Sequence, residues 1–260
     1  MGPLRVTLIQ ADLAWEDGAA NREALWGMIT PIDDPGDLIV LPEMFATGFS
    51  MAPRDLAEPM AGESIRWLHQ VAGTKQVAVT GSLMIKEAGR YYNRLFWVTR
   101  DGEQFSYDKK HLFTYAGEDK LYSPGNRQLQ IALKSWQIRP MICYDLRFPV
   151  WTRNRPPHYD LAIFVANWPA RRADHWRSLL KARAIENQCF VIGVNRVGAD
   201  GNGIDYSGDS LAIDPQGRIL FHRALEACVH TLDLDADVLK ACRRDFPALA
   251  DGDVFEINPQ

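Results

Sequence analysis

The chain has 260 residues, of which 47% are hydrophobic and 24% charged, and its formal net charge at pH 7 is -4. These values are typical of a soluble globular protein that buries a sizeable core without disulfides or metals. Since the net charge is small and negative and the pI is about 5.9, the composition argues against a nucleic-acid partner and against binding to an anionic membrane surface.

Membrane and targeting segments are not predicted either. No apolar run approaches the ~20 residues that a membrane-spanning helix needs, and the amino terminus lacks the charged and apolar regions of a signal peptide. The cysteines form no Cys-x-x-Cys pair and show no metal-ligand spacing with histidine; they are Cys143, Cys189, Cys228 and Cys242. We therefore expect a reduced, cytoplasmic protein with neither a disulfide framework nor a metal site.

The first half of the chain alternates strand patterns with helical patterns. The predicted elements are strands at residues 5–11, 37–42 and 77–84, helices at about 18–30 and 62–71, and a β-hairpin with strands at 95–99 and 104–107. The run at 37–42 is continuously apolar, which indicates a strand covered on both faces. The hairpin is predicted from the turn dipeptide Asp101-Gly102 between its strands.

The second half continues in the same way. A short apolar strand ends at Cys143, and the further predicted elements are strands at 159–166, 189–195 and 229–234, helices at 173–188 and near 235–243, and a hairpin with strands at 211–213 and 218–221. Because helices alternate with strands and hairpins also occur, we expect mixed sheets. No linker, low-complexity segment or repeat divides the chain, so we predict one α/β domain over residues 1–260.

Residues 139–149 hold the first candidate for chemistry. An apolar run ends at Cys143 and charged residues follow at once. A rigid strand that delivers a thiol to a turn is what a reactive cysteine requires. A buried structural cysteine produces the same local pattern, because free cysteine is among the most buried residue types. The stretch alone leaves both interpretations open.

Two further strand ends carry residues that suit the same chemistry. Glu43 follows the predicted strand at 37–42, and Lys109 follows the hairpin. Taken singly, Glu43 is explained as a helix cap and Lys109 as a solvated surface charge. Sites in α/β domains form at strand carboxyl ends, so together with Cys143 they fit a cysteine hydrolase. In such an enzyme the carboxylate takes the thiol proton, and the ammonium stabilises thiolate and oxyanion.

Three segments resemble, in order, the signature motifs of the nitrilase (carbon–nitrogen hydrolase) superfamily. They are Leu41-Pro-Glu-Met44, Tyr107-Asp-Lys-Lys-His-Leu-Phe113 and Ile142-Cys-Tyr-Asp-Leu-Arg-Phe-Pro149, and residues 182–188 and 208–210 resemble further family segments. The resemblance covers nearly the whole chain. It implies a four-layer α-β-β-α sandwich with two mixed β-sheets and a reaction without metal or organic cofactor. It also implies a homodimer that associates through residues 148–153 and 173–188.

The resemblance implies a role for each candidate as well. Glu43 corresponds to the general base and acid and Cys143 to the nucleophile. Lys109 corresponds to the electrostatic stabiliser, because it occupies the lysine position of the family motif Lys-x-His-Leu. Glu118 corresponds to a second glutamate that orients the lysine or the attacking water, with a surface loop acid as the alternative. The backbone N–H of Tyr144 joins Lys109 in holding the oxyanion as an amide is converted to a thioester.

Residues 167–172 and 194–198, with residues 200–203 after them, resemble the omega-amidase group of this superfamily. The members of that group deamidate 2-oxoglutaramate and 2-oxosuccinamate, whose far carboxylate suits a guanidinium. Arg172 is the first candidate for that anchor and Arg147 the second; a surface charge and a structural ion pair are the respective alternatives. Aromatic residues near a core are often core residues, but three are candidates for the pocket walls: Phe45, Phe49 and Trp168.

Other functions remain compatible with the residues. The main rival is another amidase of the superfamily, such as an N-carbamoyl amino-acid amidohydrolase or an aliphatic amidase. A non-catalytic binding protein with the same fold is disfavoured because all three catalytic residue types are present. A papain-like cysteine–histidine hydrolase is disfavoured because nothing in the sequence sets a histidine beside Cys143. Each enzymatic alternative has a small-molecule amide as its partner.

Overall fold

Two mixed β-sheets face each other in the computed structural model, which describes residues 2–257; the predicted domain of 1–260 extends past this range at both ends. The strands are β1 (Leu4–Gln10), β2 (Leu38–Val40), β3 (Ala78–Glu87), β4 (Arg90–Val98), β5 (Gln104–Asp108), β6 (Ile131–Leu133), β7 (Trp136–Ile142), β8 (Leu161–Ala166), β9 (Phe190–Asn195), β10 (Val197–Ala199), β11 (Asp205–Ile213), β12 (Ile219–Ala224) and β13 (Cys228–Leu234). The α-helices are α1 (Gly18–Ile29), α2 (Pro53–Leu56), α3 (Glu63–Lys75), α4 (Pro149–Thr152), α5 (Ala173–Asn187) and α6 (Ala236–Asp245). No helix in the described range is long and apolar enough to cross a membrane.

Each sheet has parallel strands at its centre. The first sheet has the order β13-β1-β2-β3-β4-β5, in which β1, β2 and β3 are parallel and the outer pairs are antiparallel. The second has the order β10-β11-β9-β8-β7-β6, in which β7, β8 and β9 are parallel, and β12 pairs with β11. Parallel strands place several carboxyl ends at one edge of a sheet, where α/β folds assemble their sites.

Alternate residues of the central strands face different layers. Leu38 and Val40 of β2 belong to the core between the sheets, which also contains Ile163 and Val165 of β8. Ile39, between the first two, packs in a second core with the outer helices α1 and α3. On the opposite side of the molecule α5 covers β9 and β11. The predicted α-β-β-α order of layers is therefore confirmed.

The turn between β3 and β4 differs from the prediction. The apolar pattern predicts that one strand ends at residue 84, whereas β3 and β4 pair along their whole length and meet in a tight turn. Ala88 and Gly89 form that turn with positive φ values of 48° and 76°. Positive φ at both positions matches the twist of a two-residue hairpin. The sequence does not indicate this turn, because alanine is not a typical turn residue and the strand ends beside it are exposed and polar.

Gly193 of β9 lies against α5 without room for a side chain. A Cβ there would lie 2.4 Å from Leu180 Cδ1 and 2.7 Å from Trp176 Cζ2, so we expect Gly193→Ala to lower the free energy of unfolding by about 1–3 kcal/mol. The matched control is Gly27→Ala in α1, where no neighbouring heavy atom lies within 4 Å and alanine should add about 0.5–1 kcal/mol. Urea unfolding measures both changes, and an unchanged midpoint for Gly193→Ala would contradict the close packing.

Candidate active site

Glu43, Lys109 and Cys143 come together where the two sheets meet. Glu43 follows β2 and Lys109 follows β5 of the first sheet, whereas Cys143 follows β7 of the second. The Lys109 ammonium lies 2.9 Å from Glu43 Oε1, and the Cys143 thiol lies beside the same carboxylate. The sequence prediction that these three residues form one cluster agrees with their positions in the fold.

Three donors fix the buried carboxylate of Glu43. Oε1 accepts hydrogen bonds from Asn93 Nδ2 at 2.8 Å and from Lys109 Nζ at 2.9 Å. Oε2 accepts the backbone N–H of Asn167 at 2.7 Å, and Asn167 Nδ2 donates to the Glu43 carbonyl oxygen at 2.6 Å. Because Asn167 follows β8, the second sheet holds a carboxylate that the first sheet presents.

The turn after β2 presents Glu43 in one orientation. Met44 has a φ of 44°, which residues other than glycine rarely adopt. Its N–H donates to Ser82 Oγ at 2.9 Å, and the N–H of Phe45 donates to the Ser82 carbonyl oxygen at 3.1 Å. A residue of β3 therefore holds a strained turn, and such strain concentrates at functional sites.

Glu118 is fully buried beside Lys109, so it is not a surface acid. Lys109 Nζ lies 3.1 Å from Glu118 Oε1 and 3.0 Å from Oε2, and the Phe113 N–H donates to Oε2 at 2.6 Å. Burial lowers the pKa of Lys109, but the charges of Glu118 and Glu43 outweigh it and hold that pKa above its ordinary value. The two carboxylates therefore favour the ammonium form of Lys109 in the site.

Cys143 begins a 3₁₀ turn, Cys143–Arg147, and has a φ of 41°. Burial, and after it the Glu43 carboxylate, raise the pKa of the Cys143 thiol well above its ordinary value, although Lys109 acts in the opposite direction. At neutral pH the sulfur is a thiol beside a carboxylate rather than a preformed thiolate. Its reaction with an electrophile therefore depends on a base that takes the proton.

Two donors are available near the Cys143 turn. The first N–H groups of a helical turn have no acceptor within that turn, so the backbone N–H of Tyr144 can donate to an external oxygen. Lys109 Nζ supplies a second, charged donor near the same sulfur. Together they form the kind of pair that stabilises an oxyanion.

A cavity of about 230 Å³ opens above Cys143. Its aromatic lining consists of Phe49, Phe113, Tyr115, Tyr144, Trp168 and Tyr206. Its charged and amide lining consists of Lys109, Arg147, Asn167, Arg171, Arg172, Asp200 and Asn202. A cavity that combines aromatic walls with convergent polar groups is typical of a site for a small organic molecule.

Four predicted substrate-binding residues line this cavity: Tyr144, Arg147, Trp168 and Arg172. The Arg147 guanidinium lies 4.7 Å from the centre of the Trp168 ring, and it donates to His175 Nδ1 at 3.1 Å. No carboxylate pairs with Arg147 within residues 2–257, which argues against the structural ion pair. The half-buried Arg172 lies 5.3 Å from the Phe113 ring, and burial together with the charges of Arg171 and Arg147 lowers its pKa.

Phe45 is placed elsewhere. Its ring is fully buried, lies outside the cavity lining and has its centroid 5.6 Å from that of Trp67. The turn directs Glu43 toward the site and Phe45 into the core between the first sheet and its outer helices. The prediction that Phe45 walls the pocket is corrected accordingly, while Phe49 does line the cavity.

Several residues of the site were not predicted. Arg171, Asp200 and Asn202 line the cavity, and all three fall in or beside the segments that resemble omega-amidases, so that resemblance could have pointed to them. Asn93 orients Glu43 from the middle of β4. The sequence does not indicate the role of Asn93, because an asparagine within a strand pattern does not reveal which face of the sheet it lies on or which residue it contacts.

Comparison with known proteins identifies the family. The model of the carbon-nitrogen hydrolase family matches residues 5–244. The omega-amidase YafV of Escherichia coli (strain K12) is 43% identical over 260 residues, which cover 99% of this chain and 100% of the relative. The 2-oxoglutaramate amidase of Bacillus subtilis (strain 168) is 32% identical over 250 residues, which cover 95% and 96% of the two chains.

A solved structure agrees with this assignment. The protein XC1258 from Xanthomonas campestris, a CN-hydrolase superfamily protein with an arsenic adduct in its active site, matches with a TM-score of 0.97. It is 43% identical, and the match covers 99% of this chain and 100% of that chain. The present chain belongs to the carbon–nitrogen hydrolase family. It is a hydrolase that acts on carbon–nitrogen bonds.

The raised pKa of Cys143 predicts an unusual pH profile of alkylation. The rate with iodoacetamide should keep rising above pH ~8.5, where an ordinary cysteine is already half ionised. Glu43→Gln should move the profile to lower pH, because it removes the negative charge that raises the thiol pKa. Peptide mass spectrometry of Cys143 at a series of pH values measures both profiles, with N-acetylcysteine as the reference. A wild-type plateau below pH ~8 would contradict the assignment of a protonated thiol.

Proposed function

We propose that the protein is an omega-amidase that hydrolyses the terminal carboxamide of a small 2-oxo acid, such as 2-oxoglutaramate or 2-oxosuccinamate, to the free acid and ammonia. The observation that carries the proposal is a thiol–carboxylate–ammonium cluster at the floor of a cavity whose wall holds three arginines. The full-length similarity to the omega-amidase and the 2-oxoglutaramate amidase supports it.

In the first half of the reaction Cys143 is the nucleophile and Glu43 the base. Glu43 takes the thiol proton as sulfur attacks the amide carbon, so that the charge is created only when substrate is present. The carbonyl oxygen becomes an oxyanion, which Lys109 Nζ and the backbone N–H of Tyr144 stabilise. Glu43 then returns the proton to the amide nitrogen, ammonia leaves, and a thioester on Cys143 remains.

In the second half Glu43 acts on water. It takes a proton from a water molecule that attacks the thioester carbon, and the oxyanion forms again at the same two donors. The collapse of this intermediate breaks the carbon–sulfur bond, and Glu43 gives its proton to the leaving sulfur. Glu118 supports both halves, because with Glu43 it keeps Lys109 charged and in place.

The cavity wall accounts for the substrate class. The guanidinium groups of Arg147, Arg171 and Arg172 face the cavity, and none pairs with a carboxylate in the described part of the chain. A substrate carboxylate supplies the missing negative charge, and guanidinium–carboxylate pairing is strong when it is bidentate. The rings of Trp168 and Phe113 lie under the guanidiniums of Arg147 and Arg172 and offer an apolar surface to the carbon chain of a substrate.

We further propose that the active form is a homodimer that associates through α4 and α5. Val150 of α4 and Ile185 of α5 have exposed fractions of 56% and 49%. Exposed apolar side chains on adjacent elements are a feature of subunit interfaces. These helices flank the nucleophile turn, so association would rigidify the element that carries Cys143.

Cys143→Ala and Glu43→Gln should each abolish turnover. Without the sulfur no thioester forms, and without the base the rate should fall by about 10³-fold, within the range of general acid–base catalysis. Ammonia release from 2-oxoglutaramate measures the rate, and intact-mass spectrometry detects the acyl-enzyme in the wild type. Cys228→Ala, on the edge strand β13, is the matched control that should retain activity. A Glu43→Gln enzyme of near-normal rate would refute the proposed base.

Arg172→Met should raise the KM for 2-oxoglutaramate by about 10–100-fold, because a charged hydrogen bond is worth roughly 1.5–3 kcal/mol. The kcat/KM for a neutral amide such as propanamide should change little. Arg218→Met, at an exposed position remote from the cavity, is the matched control. If the wild type hydrolyses 2-oxoglutaramate and 2-oxosuccinamate no faster than aliphatic or N-carbamoyl substrates, the omega-amidase assignment is wrong.

A further inference from the structure

A buried carboxylate that takes no part in the proposed chemistry connects the two chain segments that carry Lys109 and Cys143. Asp145, two residues after Cys143, is fully buried. Its Oδ1 accepts the His111 N–H at 3.0 Å and lies 2.8 Å from His111 Nδ1. Its Oδ2 accepts the Tyr107 hydroxyl at 2.7 Å and the Ile142 N–H at 3.1 Å. Four donors thus converge on one side chain.

The positions of these donors along the chain are informative. Tyr107 precedes Lys109 by two residues and His111 follows it by two, so Asp145 holds the backbone on both sides of the lysine. Ile142 directly precedes Cys143. A single carboxylate therefore joins the segment that carries the ammonium to the strand end that carries the thiol.

The backbone at Cys143 needs such support. A cysteine with a φ of 41° lies in a region that non-glycine residues occupy only when their surroundings hold them there. The bond from the Ile142 N–H to Asp145 closes the turn from within, in the manner of a capping box. The orientation of the thiol thus depends on the same side chain as the position of the lysine.

Two aromatic side chains that follow the Cys143–Arg147 turn contact the donors to Asp145. The Trp151 Nε1–H of α4 donates to the Tyr107 hydroxyl at 3.0 Å, while that hydroxyl donates to Asp145. The His111 ring stacks on Phe148 with centroids 3.7 Å apart and an angle of 6° between the planes. Both side-chain donors to Asp145 are therefore oriented by a second contact, which limits how far the network can shift.

We propose that Asp145 is a positioning residue of the hydrolysis, whose carboxylate sets the separation between the Lys109 ammonium and the Cys143 thiol. It touches neither the substrate nor the reacting atoms. The inference rests on the proposed roles of Lys109 and Cys143. Misplacement of reacting groups by about 1 Å can cost about 100-fold in rate, which is the effect expected when the connection is cut.

Asp145→Asn tests the charge without a change in size. An aspartate accepts at both oxygens, whereas the amide of an asparagine donates at one end. That end would meet the backbone N–H of either Ile142 or His111, so a donor would face a donor. We expect kcat for 2-oxoglutaramate to fall by about 100-fold with KM within about 3-fold of the wild type, and the alkylation of Cys143 to slow in parallel.

Two further variants separate positioning from folding. His111→Ala removes one ring donor from a partly exposed position and leaves the backbone N–H, so it should fold and lower kcat by about 10-fold. Asp160→Asn is the matched control: a buried carboxylate at the amino end of β8 that accepts the Gln137 N–H and Arg243 Nη1. It should lower the melting temperature and leave kcat per folded molecule unchanged.

The outcomes distinguish the inference from the function on which it rests. If Cys143→Ala keeps its activity, the proposed function and the inference both fail. If Cys143→Ala is inactive while folded Asp145→Asn and His111→Ala keep kcat within 2-fold of the wild type, only the positioning role is overturned. A loss of kcat per folded molecule that Asp160→Asn reproduces would show a general effect of stability and would also overturn it.

Discussion

An ammonium ion enclosed by two carboxylates is the interaction on which the site depends. Lys109, Glu43 and Glu118 have no solvent exposure in their side chains, so the ammonium relies on both carboxylates and each carboxylate relies on the ammonium. Removing one partner of a buried ion pair costs about 3–5 kcal/mol, because the remaining charge is left in a medium of low dielectric constant. The end of β2, the end of β5 and the loop around residue 118 are consequently fixed as one unit, and the reactive groups are placed before any substrate arrives.

The packing of the two sheets is part of this arrangement rather than a background to it. Asn167, from the second sheet, donates to Glu43 of the first. Behind the site Gln10 Oε1 of β1 accepts the Ser210 N–H of β11 at 3.0 Å. A change in the distance between the sheets would therefore move the base relative to the sulfur, since each sheet carries only one of them. Core residues far from the cavity influence the chemistry through this geometry.

The sequence predicts a site residue best where that residue is adjacent in the chain to the strand that positions it. The strands before Glu43 and Cys143 can be recognised because an apolar run and a polar terminus are adjacent in the chain, and the hairpin before Lys109 because of its turn dipeptide Asp101-Gly102. Burial of Glu118 and Phe45 could not be inferred, since a loop acid and an aromatic beside a motif look alike whether they face solvent, cavity or core. The roles of Asn93 and Asp145 depend on contacts between distant segments, and no spacing encodes them. The Ala88-Gly89 turn was missed because tertiary pairing imposes a conformation that alanine disfavours.

The protonated state of Cys143 has a consequence for the durability of the protein. Peroxides oxidise thiolates, and susceptible cysteines are those with a low pKa and free access. Since burial and Glu43 raise the pKa of the Cys143 thiol, little thiolate is available to an oxidant in the resting protein. In the proposed mechanism, proton transfer to Glu43 creates the reactive sulfur only when a carbonyl carbon lies beside it. The electrostatics that postpone the proposed chemistry until an amide is bound would thus also guard Cys143 against sulfenic acid formation between turnovers.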